Sequence, residues 1–314
     1  MLDIMSAQNQ IEALISNIGQ VIVGKRDVIE LTVTAMLTGG HVLLEDIPGV
    51  GKTQLAASLA ASCGGAFNRL QLTPDVMPSD VTGFTLIDQS TRQMVFRQGA
   101  AFCNFLLADE INRASPKTQS ALLEVMEESQ ISIDGKTYEI PTPFMVLATQ
   151  NPIDTFGTYH LPEAQMDRFL MRLKMGYPGR DNELTILNKT GRLQAKDLSP
   201  VTGPDGIEEL KLLVQTIHCS ERISSYILDI AEATRQSEEI LLGVSPRGSL
   251  ALHHASRSFA LIQGRDYVAP DDVKRLAPHV LSHRILLTPQ GRSRYGGAEE
   301  AILALLDRIE VPTC

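Results

Sequence analysis

The sequence predicts an α/β fold, a parallel sheet with helices on both faces, followed by a smaller all-helical domain. Three observations carry this reading. Short, mostly apolar β-type runs alternate with helical runs in the first half of the chain, a glycine-rich loop follows the first of them, and from about Pro178 the character changes to consecutive helices. Apolar strands separated by helices are buried on both faces and bind ligands at their carboxyl ends. The glycine loop lies at such an end.

Taken in order, an N-terminal helical pattern precedes four strand candidates: HVLLED (41–46), FNRLQL (67–72), FCNFLLADE (102–110) and FMVLATQ (144–150). The Pro/Gly-containing segment DLSPVTGPDG, Asp197 to Gly206, then separates the two expected domains, 1–196 and 207–314. Beyond it the expected helices are Ile207 to His218, Glu221 to Glu239, Pro246 to Gly264 and Pro270 to His283. The chain has no internal repeat and no low-complexity tract.

Composition narrows the function. Of 314 residues, 43% are hydrophobic, as in an ordinary folded chain with one or two cores. Cys63, Cys103, Cys219 and Cys314 are far apart and form no CxxC pair, so neither a zinc site nor a disulfide framework is indicated and a cytoplasmic, reducing location fits. No stretch approaches the roughly 18 apolar residues that span a bilayer, and MLDIMSAQNQ lacks the pattern of a secretion signal. With 28 basic and 37 acidic residues the formal charge is −9, which disfavours broad nucleic-acid binding and favours protein or small-molecule partners. His253 and His254, and His279 and His283 at i,i+4 spacing, lack a third ligand at suitable spacing and read as exposed or core-edge residues.

The chemistry is concentrated in three short stretches. In DIPGVGKT, Gly49 and Gly51, on either side of Val50, let backbone N–H groups converge on one anion, and Pro48 stiffens the approach. Lys52 supplies a point charge for β/γ-phosphates and Thr53 a hydroxyl for Mg²⁺, while Gln54 opens a helix whose positive N-terminus faces the same anion. The full G-x-x-x-x-G-K-[ST] pattern needs glycine at position 46, where this chain has Asp46; the change removes backbone freedom but no phosphate ligand. The second stretch, FLLADE, ends in Asp109 and Glu110. Paired acids at a strand end suit one carboxylate on the water shell of Mg²⁺ and the other beside the water that attacks a γ-phosphate. The third, FMVLATQN, ends in Asn151, suited to hydrogen-bond that phosphate or that water, although Asn-Pro at a strand end is equally a common turn.

Together with the helical C-terminal part, this order of motifs resembles the AAA+ ATPases. The phrases GHVLLEDIPGVGKT, LLADEINRASPKTQSALLEVMEE, ATQNPIDTFGTYHLPEAQMDRF and GVSPRGSLAL resemble the MoxR family, in the AAA+ branch with an insert in helix 2, from about Val21 to His283. Asp46 is similar to that family's EDxPGxGKT. The resemblance implies that Val23 and Gly24 belong to the segment packed on adenine. It places the insert in a hairpin, Gly83 to Phe96, and a second hairpin in SQISIDGKTYEI, where Asp134-Gly135 suits a tight turn. Arg168 corresponds to the arginine finger that reaches a neighbouring subunit's γ-phosphate, and Arg247 to sensor 2 on the lid, acting on its own or a neighbour's nucleotide. A guanidinium suits both tasks, being permanently charged and able to pair its N–H groups with phosphate oxygens. The plain structural alternatives are a salt bridge with Asp167 or another neighbour for Arg168, and a surface charge at a helix start for Arg247. Arg113 is a further interface candidate.

The resulting expectation is an ATPase using ATP and Mg²⁺ in a homo-oligomeric, hexameric ring, with chaperone-like remodelling, maturation or metal insertion of a protein client as its work. The resemblance implies a client carrying a von Willebrand factor A domain. Two rivals are a magnesium-chelatase-like subunit and an assembly switch that binds ATP without turnover. Glu110 argues against the switch.

Overall fold

The computed structural model describes residues 2–90, 92–151, 158–188 and 193–312. Two helices open the chain, α1 (Ile4–Gly19) and α2 (Arg26–Thr38), the latter stopped by Gly39 in the left-handed conformation that a helix C-terminus favours. The chain then runs through β1 (Val42–Glu45), α3 (Lys52–Ser62), β2 (Phe67–Gln71), the short α4 (Pro78–Thr82), β3 (Gly83–Ile87), β4 (Met94–Gln98) and β5 (Phe105–Asp109). A 3-10 turn, Ile111–Arg113, leads to α5 (Pro116–Glu128), then β6 (Gln130–Ile133), β7 (Lys136–Glu139), β8 (Met145–Gln150), α6 (Glu163–Met166), β9 (Met171–Leu173) and α7 (Arg180–Asn188).

Five of these strands form one parallel sheet in the order β2-β5-β8-β1-β9. Its three central strands are buried until their last residues, Glu45, Asp109 and Gln150, which emerge at the same carboxyl edge. Side chains alternate between two cores. Val42, Leu44, Phe105, Leu107, Met145 and Leu147 face α1, α2, α3 and the C-terminal helices, while Leu43, Leu106, Ala108, Val146 and Ala148 face α5. All four strand candidates are present, but FNRLQL is an edge strand with exposed Arg69 and Gln71, so the expected burial on both faces does not extend to it. The fifth strand, β9, was not anticipated; three residues carry too little periodicity to announce themselves.

Both hairpins form. β3 pairs with β4 through Gly83↔Gln98 and Ile87↔Met94, and β6 pairs with β7 across Asp134 and Gly135, both at positive φ. Phe96 of the first hairpin stacks on Tyr138 of the second, ring centroids 4.1 Å apart.

The C-terminal part comprises α8 (Pro204–Val214), α9 (Glu221–Gln236), β10 (Ile240–Leu242), α10 (Pro246–Ile262), α11 (Pro270–Leu281), β11 (Leu286–Leu287), α12 (Pro289–Tyr295) and α13 (Ala298–Leu306). It is helical apart from the short antiparallel β10–β11 pair, which the sequence reading did not include. Ser220 and Ser245 cap α9 and α10 by accepting from Ile223 N and Gly248 N, and Pro246 starts α10, as the sequence suggested. These helices share one apolar core with α1 and α2, through residues such as Leu252, Ala255, Phe259, Val273 and Leu276. His283 is a core residue: its Nε2 lies 2.9 Å from the Phe169 carbonyl, and burial holds its pKa well below the ordinary value. His254 is exposed.

Candidate functional site

The β1–α3 connection has the geometry of an anion-binding loop. Gly49 (φ 88°) and Gly51 (φ 98°) are left-handed, and a Cβ placed on Gly49 would meet nothing within 4 Å, so the loop borders open space rather than packed side chains. Gly51 is the N-cap of α3, which leaves the first N–H groups of that helix directed at the space the loop encloses. Lys52, at the first helical position, donates to the Asp46 carbonyl at 2.7 Å. Burial lowers its pKa, and Asp46, Asp109 and Glu110 oppose that shift.

Asp46 has a job that glycine could not perform. Its Oδ1 accepts from Ile47 N at 2.8 Å and its Oδ2 from Gly176 N, beyond β9. The carboxylate thus fastens the start of the loop to the segment that follows the edge strand, which accounts for the departure at this position.

Asp109 and Glu110 stand at the end of β5, across the cleft from Lys52. Glu110 is a non-glycine residue in the left-handed region (φ 59°, ψ 53°), a conformation that costs on the order of 1–2 kcal/mol and must be held from outside. Thr149 of β8 holds it: one buried hydroxyl accepts from Glu110 N at 2.8 Å and donates to Asp109 Oδ1 at 2.6 Å. Two arginines complete the arrangement. Arg69 Nη2 lies 2.7 Å from Asp109 Oδ2, and Arg113 Nε lies 3.1 Å from Glu110 Oε2. Below the turn, buried Gln119 donates to Ile111 O and Tyr159 O, fixing α5 to the residues after the paired acids.

Pro48, Gly49, Gly51, Lys52, Thr53, Gln54, Arg69, Asp109, Glu110, Thr149 and Asn151 line a single cleft of about 310 Å³. Next to it a second cavity of about 280 Å³ is bordered by Val21, Ile22, Val23, Val50 and Met175, and it shares Gly49, Gly51 and Gln54 with the first. The first cleft gathers the charged groups, and the second mixes aliphatic Val21, Val23 and Val50 with Lys25 and Gln194; side by side they offer room for a phosphate end and a base end. Gly24, expected in the same segment as Val23, lines neither cavity; it borders a separate one with Val28, Leu173 and His279, and its positive φ and the close approach of the Asn182 side chain favour glycine there.

Arg168 and Arg247 are not among the residues lining either cavity. They meet each other's partner instead: Arg168 Nη2 lies 3.0 Å from Glu127 Oε2 and Arg247 Nη1 lies 3.2 Å from Glu127 Oε1. For Arg168 this is the plain alternative of a salt bridge with a neighbour other than Asp167; Asp167 itself is engaged with the C-terminal helices, accepting from Arg284 Nε at 2.6 Å and from Ser245 Oγ at 3.2 Å. Arg113 pairs with Glu110 in the same chain, where the sequence suggested an interface. Sequence reading missed Thr149, Arg69 and Glu127. A lone arginine in an edge strand was a usable signal for Arg69; one glutamate among several at the end of α5 offered none for Glu127.

A parallel sheet with a glycine loop at β1, paired acids at β5, a polar residue at the end of β8 and a helical C-terminal part define a P-loop ATPase of the AAA+ class. Residues 41–171 match the model of the ATPase family associated with various cellular activities (AAA), and residues 232–304 match the AAA lid domain. Chaperone MoxR1 of Mycobacterium tuberculosis is 39% identical over 96% of this chain and 82% of its own length, and the uncharacterised protein YeaC of Bacillus subtilis is 47% identical over 95% and 93%. A solved structure from Cytophaga hutchinsonii, provisionally assigned as an ATPase, superposes with a TM-score of 0.90 at 34% identity over 99% of this chain and 97% of that one. The chain belongs to the MoxR family of AAA+ ATPases. No helix among the described residues is long and apolar enough to cross a membrane.

Proposed function

We propose that this chain binds ATP with Mg²⁺ in the cleft between the β1–α3 loop and the end of β5, and hydrolyses it. The observation that carries this is the convergence of Lys52, Thr53, Asp109, Glu110 and Asn151 on one cleft, with a second, valine-bordered cavity beside it. The residues fit the ligand: a half-buried ammonium bonded to a backbone carbonyl is free to turn to a phosphate, and the left-handed glycines border space that a Cβ leaves open. Lys52 and the N-terminus of α3 hold the β- and γ-phosphates, while Val23, Val50 and Gln54 line the base end. Mg²⁺, when bound, offsets charge on the phosphates, and Thr53 and Asp109 are the residues that would hold it. Glu110 takes the proton of the attacking water and Asn151 orients that water.

The remaining roles belong to an assembly. In this reading subunits form a homo-oligomeric ring, six by the family resemblance, and Arg168 completes the neighbour's site. Arg247 acts beside it on the same neighbouring nucleotide, supported by the shared Glu127 and by its absence from the cleft lining of its own chain. Residues 1–196 act as the nucleotide-binding core and 207–314 as the lid. The output is chaperone-like remodelling, maturation or metal insertion of a cytosolic protein client, one with a von Willebrand factor A domain by the same resemblance.

Two variants test the reading. Lys52→Ala abolishes binding of a fluorescent ATP analogue. Glu110→Gln binds it normally but lowers turnover by roughly 10²–10⁴, the range of a lost general base. Parent-level binding in the first, or parent-level turnover in the second, overturns the assignment.

A further inference from the structure

We propose that Glu127 is a positioning residue that holds Arg168 and Arg247 together as one anion receptor, offered to the nucleotide of the next subunit; this rests on the ring reading above. Glu127 is on the last turn of α5, Arg168 follows α6, and Arg247 lies in the first turn of α10. Three elements distant in sequence therefore converge on one carboxylate, each oxygen taking one guanidinium.

Stability does not explain the arrangement. The three side chains are 30–49% exposed, and ion pairs at that exposure contribute little to stability. Two guanidiniums beside one carboxylate leave a net positive charge, which a fold seeking only stability would avoid. What the carboxylate does supply is alignment. Each arginine uses one terminal nitrogen on Glu127, and the planar fork retains its other N–H groups for a second anion. Among the described residues neither guanidinium has another side-chain partner. Without Glu127 the two cations repel each other and each long side chain regains its rotamer freedom.

The mounting of Glu127 supports this role. The residue before it, Met126, gives its carbonyl to buried His41 Nε2 at 2.9 Å, and His41 Nδ1 accepts from Val146 N at 3.0 Å, so the last turn of α5 is tied to the central sheet. The residue before Arg168, Asp167, is clamped by Arg284 and Ser245, and Ser245 is the N-cap of the helix that bears Arg247. The backbones under all three charged groups are fixed, and Glu127 fixes the side chains.

The test is complementation in mixed rings. Glu127→Gln keeps the length of the side chain and removes its charge; it lowers kcat by about 10- to 100-fold at saturating ATP, the cost of a misplaced catalytic group, and leaves affinity for a fluorescent ATP analogue unchanged. Mixing Glu127→Gln protein with Lys52→Ala protein restores activity, because intact loops of the first then face intact arginine pairs of the second. Arg168→Ala mixed with Lys52→Ala is the parallel control. If that control complements and the Glu127→Gln mixture does not, or if Glu127→Gln alone turns over at the parent rate, the positioning role is overturned. If the Arg168→Ala control itself fails in rings shown to be mixed, the ring reading falls and takes this proposal with it.

Discussion

Thr149 performs with one hydroxyl what two separate groups would otherwise have to do, holding the strained Glu110 backbone and orienting the Asp109 carboxylate. Thr149→Val keeps the shape and leaves a buried N–H unpaired, so it destabilises the fold by about 1–3 kcal/mol and weakens Mg²⁺-dependent nucleotide binding, whereas Thr149→Ser keeps both. A urea midpoint and a Mg²⁺ titration on the same three proteins check this. Asp46 makes a complementary case. Asp46→Gly restores the general phosphate-loop pattern yet loses the acceptor for Ile47 N and Gly176 N, and it lowers stability by roughly 1–2 kcal/mol in a thermal unfolding assay. At this scale the sequence was legible where chemistry is carried by consecutive residues. Lys52, Thr53, Asp109 and Glu110 announce themselves because a loop or a strand end makes neighbours in sequence neighbours in space. Thr149 and Arg69 reach the same cleft from other strands, and only the sheet order brings them together.

Among the elements, α5 has the widest reach: Gln119 near its start grips the turn after Glu110, and Glu127 at its end grips the two arginines. His41 anchors that end, and it makes the anchor sensitive to pH. Burial lowers the His41 pKa to about 4 from an ordinary 6.5. Between those values the unfolded chain takes up a proton that the folded chain refuses, so stability is fully present above pH 6.5 and falls as pH drops toward 4, by up to about 3 kcal/mol. His283 adds in the same direction. Urea midpoints measured from pH 7.5 to 4.5 should decline, and His41→Gln should flatten part of the decline. The helices and central strands were legible because apolar periodicity persists over several turns or residues, and both hairpins because a tight turn needs particular residues, as at Asp134-Gly135. β9 and the β10–β11 pair were not, since strands of two or three residues exist only through the partners they meet.

For the whole molecule, the decisive contact is the one between Asp167 and Arg284. The Arg284 side chain is 3% exposed, and it also donates to the carbonyls of Asp167, Phe169 and Leu170. Asp167→Ala leaves this cation buried without its carboxylate, a change on the order of 3–5 kcal/mol, which calorimetry would show as a lowered unfolding temperature. The change in character after Pro178 indicated where the helical part begins, but nothing in the sequence told that its helices would pack on α1 and α2. That packing follows from tertiary complementarity of α10 with α1 and α2 and of α8 with α2, not from any local signal. The shared core has a mechanical meaning. Swinging the C-terminal helices away from the rest of the same chain would expose a continuous apolar face, so each subunit resists bending within itself. In the proposed ring the compliant joints are then the seams between subunits, and a stroke is a change in how rigid wedges meet. Damage at a seam, as by Glu127→Gln, would show as ATP turnover and client remodelling slowed together, with every subunit still whole.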